Sequence, residues 1–100
     1  MSKSIRLKNN IYLDYSSIKK YASHVSDNDD LNTYLQSGTY RASNVKGLIN
    51  SPLTDIDGML FVEDTKNANM IYQVLFNRLT AQIWFRIYWY SAFWTEWKEL

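Results

Sequence analysis

Between Trp84 and Trp97 this 100-residue chain holds eight aromatic residues, half of its total, including all four tryptophans. The start of that stretch constrains the fold most. From Gln82 to Tyr90, Ile83, Phe85, Ile87 and Trp89 fall at one parity and Trp84, Arg86, Tyr88 and Tyr90 at the other. Successive side chains of a strand point to opposite faces, so this pattern is a strand with large groups on both. Such a strand requires burial on both sides, or one face against another chain. Its aromatics therefore serve a core, a subunit interface or a ligand-stacking platform.

The rest of the second half repeats the strand signal. Tyr72, Val74 and Phe76 alternate with Ile71, Gln73 and Leu75 over Met70 to Asn77. Met59 to Glu63 follows the turn signal Asp57-Gly58, and Phe93 to Lys98 closes the chain after a turn near Ser91-Ala92. These pieces predict an antiparallel meander with strands near 59–63, 70–77, 82–90 and 93–98. Earlier in the chain, Gly38 to Ala42 reads as a short strand. Ser43 is placed to cap a helical turn through Val45, Leu48 and Ile49, which stops at Asn50-Ser51 ahead of Pro52.

The N-terminal third has a different character. Ile5, Leu7, Ile11 and Leu13 alternate around Asn9-Asn10, which predicts a small hairpin over Ser4 to Asp14. Ile18, Tyr21, Ala22 and Val25 then recur at helical spacing, predicting a helix over Ser17 to Val25. Ser26 to Asp30 is a polar break and the expected boundary, with another helical turn over Leu31 to Leu35. The organisation expected is an arm over 1–30, for anchoring or oligomerisation, and a β-rich domain over 31–100.

A chain this short buries only about 60–70% of its unfolded surface. It has no cysteine, so disulfides and thiolate metal sites are excluded, and its net charge of +1 gives no footprint for nucleic acid or an anionic membrane. Near-neutral charge and abundant apolar surface favour association with other chains. No signal peptide or spanning segment is expected.

Catalytic and metal chemistry find little support. Asp27, Asp29 and Asp30 suggest calcium, but the sixth and twelfth positions counted from Asp27 are Asn32 and Gly38, where a calcium loop needs glycine and a carboxylate. Asp and Asn in that run are better read as caps and turns. His24 is the single histidine. The serines lie in no nucleophile-elbow context, and Gly38, Gly47 and Gly58 are too dispersed for a phosphate loop. Glu63 and Glu96 would need to converge to flank a sugar as an acid–base pair. No enzymatic role, metal or cofactor is expected.

The aromatic run is the candidate site. One face of its strand must be core in any compact fold. Arg86, between Trp84 and Tyr88, is placed to stack between those rings as a cation–π ladder covering an exposed sheet face. An oligomer interface and a glycan platform are the other two uses.

From Leu31 onward the sequence resembles the pyocin-knob-like domain of tail fibres and other appendages of bacteriophages and phage-derived bacteriocins. The resemblance rests on Gly38-Thr39-Tyr40, on Asn50-Ser51-Pro52 followed by Gly58-Met59-Leu60-Phe61-Val62, and on Arg86-Ile87-Tyr88 leading into Trp94-Thr95-Glu96-Trp97-Lys98-Glu99-Leu100. Order, spacing and the closing double tryptophan carry it over about 70 residues. The chain departs from the family at Trp89-Tyr90-Ser91-Ala92-Phe93, where glycines and asparagines are usual.

The resemblance implies a virion component, a mainly β module of fibres or spikes, usually trimeric, in contact with a bacterial surface. The fold expected is therefore mainly β (α+β): a small antiparallel β-meander or sandwich knob with one or two short helices and the hairpin–helix arm. The function expected is a bacteriophage virion structural protein, a short fibre, spike or head or tail decoration made in the host cytoplasm. It would act through assembly with itself, as a homotrimer, and with other virion proteins, without nucleic acid or membrane. Host-surface glycan binding by the C-terminal aromatics is the alternative. Trp84, Arg86, Tyr88, Trp89, Tyr90 and Phe93 are the expected partner or glycan contacts, with Trp94 and Trp97 as scaffold.

Overall fold

The computed structural model describes residues 4–6, 12–14, 23–90 and 93–100. Its architecture is mainly β with almost no helix. Strands β1 (Ser4–Arg6) and β2 (Tyr12–Asp14) form an antiparallel pair with Ile5 opposite Leu13. The pairing fits the alternation; residues 7–11, where the turn at Asn9-Asn10 is expected, lie outside the described residues. The remaining strands make one seven-stranded sheet: β3 (Ser23–His24), β4 (Gly38–Val45), β5 (Ile56–Thr65), β6 (Met70–Asn77), β7 (Gln82–Trp89), β8 (Phe93–Trp94) and β9 (Lys98–Glu99). Spatial order follows chain order from β3 to β8, and β9 lies beside β8 along the same edge of β7. From β4 onward every pairing is antiparallel; only β3 runs parallel to its neighbour, β4.

The meander forms because each strand alternates and each connection has turn chemistry. Between β5 and β6 a single 3-10 turn over Lys66–Ala68 ends at Asn69, whose φ of 55° is left-handed and suits asparagine. Between β6 and β7 the Asn77 amide donates to Thr80 Oγ1 at 3.1 Å, and Arg78 N donates back to Asp57 O at 2.9 Å.

The sheet has one covered face. Tyr40, Ala42, Leu60, Val62, Ile71 and Leu75 are buried there against Val25, Leu31 and Leu48. The cover is two irregular segments, residues 25–35 and 46–55. They are tied to one another by a parallel bridge, with Leu31 N donating to Ile49 O at 3.0 Å and Ile49 N to Asp29 O at 2.9 Å. Polar side chains hold these segments in shape. Asp27 accepts from Lys46 N at 2.9 Å, and Asp29 from Ser26 N at 2.8 Å. Asp30 accepts from Asn32 N at 2.9 Å and from the Asn50 amide at 2.8 Å. The run 26–30 is thus bound onto the domain, next to a buried Val25.

The structure corrects four local expectations. Of the helix over Ser17 to Val25, residues 17–22 lie outside the described residues, and Ser23–His24 is a strand. Val25 N donates to Arg41 O at 2.8 Å, so pairing with β4 replaces the helical hydrogen bond. No helical turn spans 43–49: β4 continues to Val45, and Asn44 (φ 49°) and Gly47 (φ 73°) adopt left-handed backbone that a right-handed turn excludes. Asp57-Gly58 is no turn but lies inside β5, where the backbone of β6 approaches too closely for any side chain at position 58. The last strand is two. Tyr88 opposes Trp94 and Trp84 opposes Glu99, so one extra residue between β8 and β9 bulges the edge and carries Trp97.

Candidate functional site

The register sorts the sheet into cross-strand rows. On the covered face, Gly38, Val62, Gln73 and Arg86 form one row, Tyr40, Leu60, Leu75 and Trp84 a second, and Ile71, Tyr88 and Trp94 a third. On the other face the rows are Thr39, Phe61, Val74 and Phe85; Arg41, Met59, Phe76 and Ile83; Glu63, Tyr72 and Ile87; and Met70, Trp89 and Phe93. Those rows are almost wholly apolar at their centre, and no described segment is packed into a core on that side. Phe61 is 42% exposed, Tyr72 36%, Trp89 41% and Phe93 60%. Two shallow clefts lie on this open face. One of about 310 Å³ is lined by Arg41, Ser43, Asp57, Met59, Phe76 and Arg78, and one of about 300 Å³ by Thr39, Phe61, Glu63 and Tyr72.

The expected contact residues therefore divide. Trp89 and Phe93 sit on the open face. Trp84, Arg86 and Tyr88 sit on the covered face, with Arg86 only 4% exposed. Tyr90 follows β7; its hydroxyl donates to the Asp64 carboxylate and its N–H to Asn69 O at 3.1 Å, which fastens the end of β7 to the β5–β6 connection. The phenol is held above its ordinary pKa, first by that hydrogen bond.

Arg86 does stack, but on different rings from those the sequence suggests. Its guanidinium carbon lies 3.7 Å from the Trp94 ring centre and 4.5 Å from that of Trp97. Its Nε donates to Gln73 Oε1 at 2.9 Å, and Gln73 Nε2 donates to Leu31 O at 2.8 Å and Tyr34 O at 2.9 Å. Trp97 Nε1 donates to Asn50 O at 2.9 Å, and Tyr88 and Trp94 rings stack with centres 4.9 Å apart. Both cover segments and the bulged edge thus converge on one buried cation. Burial lowers the Arg86 pKa to about 10, with Asp30 opposing the shift, so the group is charged at neutral pH. Trp94 and Trp97 pack against it. Gln73 and Gly58 are the residues that sequence reasoning passes over. Gln73 had a signal, since it shares parity with Ile71 and Leu75.

Tyr34 gives the cover a pH limit. Its hydroxyl donates to Asp29 Oδ2 at 2.5 Å and its ring meets Tyr40 edge-on at 5.0 Å. Burial first, then the Asp29 carboxylate, raises its pKa well above the usual 10.0. The folded state holds this proton more tightly than the unfolded state. The stabilisation is therefore complete below pH 10 and declines as pH rises beyond it. Thermal unfolding followed from pH 8 to 11.5 should show that decline. Tyr34→Phe should flatten it, and an equally steep profile in that variant would discard the assignment.

The carboxylates weighed for chemistry are not brought together. Glu63 is on β5, whereas Glu96 follows β8 three strand spacings away, on the order of 14 Å. Among the described residues no cluster of three metal-ligating side chains occurs, and no helix is long and apolar enough to cross a membrane.

No family model matches the chain, and no curated protein matches it. Its fold is similar to that of the P. aeruginosa R1 pyocin fibre, in a structure comprising C-terminal residues 323–701, with a TM-score of 0.69 at 20% identity. The likeness covers 99% of this chain and 29% of that one, so the chain spans under a third of the fibre fragment. The shared property is a tail-fibre-like fold, rich in antiparallel β structure.

Proposed function

We propose that this chain is a structural module of a phage or phage-like appendage, a short fibre, spike or head or tail decoration, working in the virion through protein–protein assembly as a homotrimer. The observation that carries this reading is the open sheet face. A monomeric soluble protein seldom leaves an apolar patch beyond about 300–600 Å² uncovered, and this face runs from β4 to β8 with an aromatic group in each of its four rows. The fibre-like fold supports the same reading. No catalytic part is assigned to the module. Native mass spectrometry of the full chain at about 10 µM should give three times the 11.8 kDa chain mass. A monomer at that concentration would remove the assembly reading.

Glycan binding keeps one specific observation, and it moves from the C-terminal aromatics to the smaller cleft. Phe61 and Tyr72 line it beside Glu63 and Thr39. Rings that stack on sugar faces, beside polar groups for hydroxyls, are what a saccharide needs. Isothermal titration with bacterial surface polysaccharide tests it, and heat that persists in Tyr72→Ala would rule the cleft out.

A further inference from the structure

Resting on the assembly reading, we infer that the open sheet face is covered by a second copy of this chain, with Glu63 of one copy set against Arg41 of its neighbour. The area is of the right order. At about 200 Å² per aromatic side chain, Phe61, Tyr72, Trp89 and Phe93 alone present roughly 350–400 Å² at their observed exposures. The half-buried residues between them, such as Met59, Val74 and Phe85, extend the patch toward the ~800 Å² per partner of a stable interface. Apolar centre and charged rim match interface anatomy.

The charges identify the occupant. Arg41 lies in the row of Met59 and Glu63 in the row of Tyr72, so opposite charges stand two rows apart, on either side of the Phe61 row. Arg78 lies nearby but is paired with Asp57 at 2.8 Å, which leaves Arg41 as the charge there. Among the described residues Arg41 has no carboxylate partner and Glu63 accepts only from Ser37 Oγ, at 3.2 Å. A surface with its positive and negative groups set apart complements itself when the negative group of one copy meets the positive group of the next. A net charge of +1 sets no general repulsion against self-association. In a closed ring each Glu63 meets an Arg41. Copies with their strands aligned along a common axis would instead set like charges at the same height. The strands therefore cross the symmetry axis rather than follow it.

The test uses the full chain, native mass spectrometry and circular dichroism. Glu63→Arg and Arg41→Glu should each weaken assembly about tenfold by opposing like charges, and the double reversal should restore it. Val74→Asp, between Phe61 and Phe85, should give a folded monomer. Folded single reversals that assemble as well as wild type would overturn the Glu63–Arg41 placement, and a folded Val74→Asp that remains oligomeric would overturn the face itself; both leave the assembly reading standing. Wild-type chain that stays monomeric would overturn both.

Discussion

Arg86→Ala is expected to destabilise the domain by about 2–5 kcal/mol, as for other large-to-alanine truncations in a packed interior. Two contacts with tryptophan faces are lost together, each worth up to about 2 kcal/mol when desolvated. Gln73 Oε1, buried and accepting from Arg86 Nε, is left unpaired at about 1–3 kcal/mol. These terms overlap, so the total falls short of their sum. Arg86→Met separates them. The aliphatic chain still fills the space between Trp94 and Trp97 and the burial of a charge is relieved, so the loss should shrink to about 1–2 kcal/mol, chiefly the unpaired Gln73 oxygen. Urea unfolding measures both variants. Hydrogen exchange should quicken first at Thr95 and Leu100, whose N–H groups donate to Ile87 O and Ile83 O along this edge. A midpoint unchanged in Arg86→Ala would mean that the cation is a passenger between the rings.

Gly58→Ala should be at least as damaging, costing about 3 kcal/mol or more. A Cβ at position 58 would lie 1.7 Å from Phe76 O and 2.8 Å from Phe76 C. Both are backbone atoms of β6, held in register from Thr65–Met70 to Gly58–Asn77, so no side chain can swing aside. Relief requires the two central strands to separate at one end, which also strains the Asp57–Arg78 contact beside them. Domains of this size have only about 5–15 kcal/mol in total. Gly38→Ala is the control: its Cβ would meet only the Tyr40 ring at 3.4 Å, and the variant should retain nearly wild-type stability. Equal urea midpoints for the two alanine variants would refute the close-approach argument.

What the sequence reveals here depends on distance along the chain. Strands β5, β6 and β7 are visible because alternation is a local signal, and the N-terminal pairing of Ile5 with Leu13 follows from the same rule. Which face of β7 is covered is not visible. Arg86 marks its parity as the wetter side by composition, yet that side is the buried one. The cause is non-local: Trp94 and Trp97 arrive from the bulged edge, Gln73 from β6, and Leu31 and Tyr34 from the cover. The opposite parity, Ile83, Phe85 and Ile87, has the pattern of a core but is only half-buried and joins no core cluster. The expected contacts Trp89 and Phe93 lie on that open side, while Phe61, Val74 and Tyr72 join them only through register. Gly58 shows a further limit. Glycine after aspartate signals a turn, and its use inside a strand depends on how near a second strand passes.

The Gln73 amide has a consequence for how the domain reaches its native state. It joins β6 to backbone oxygens 42 and 39 residues earlier, and Trp97 joins Asn50 across 47. Closing such spans is entropically slow, whereas the β5–β6 and β6–β7 hairpins need only short excursions. The meander should therefore form ahead of its cover, with the glutamine fastening the layers after the rate-limiting barrier. Substitution at Gln73 would then hasten unfolding and leave the folding rate nearly untouched, and a chevron shifted mainly in its folding arm would reverse that order. A single side chain late in assembly would in this way set the lifetime of the native state more than the speed of reaching it.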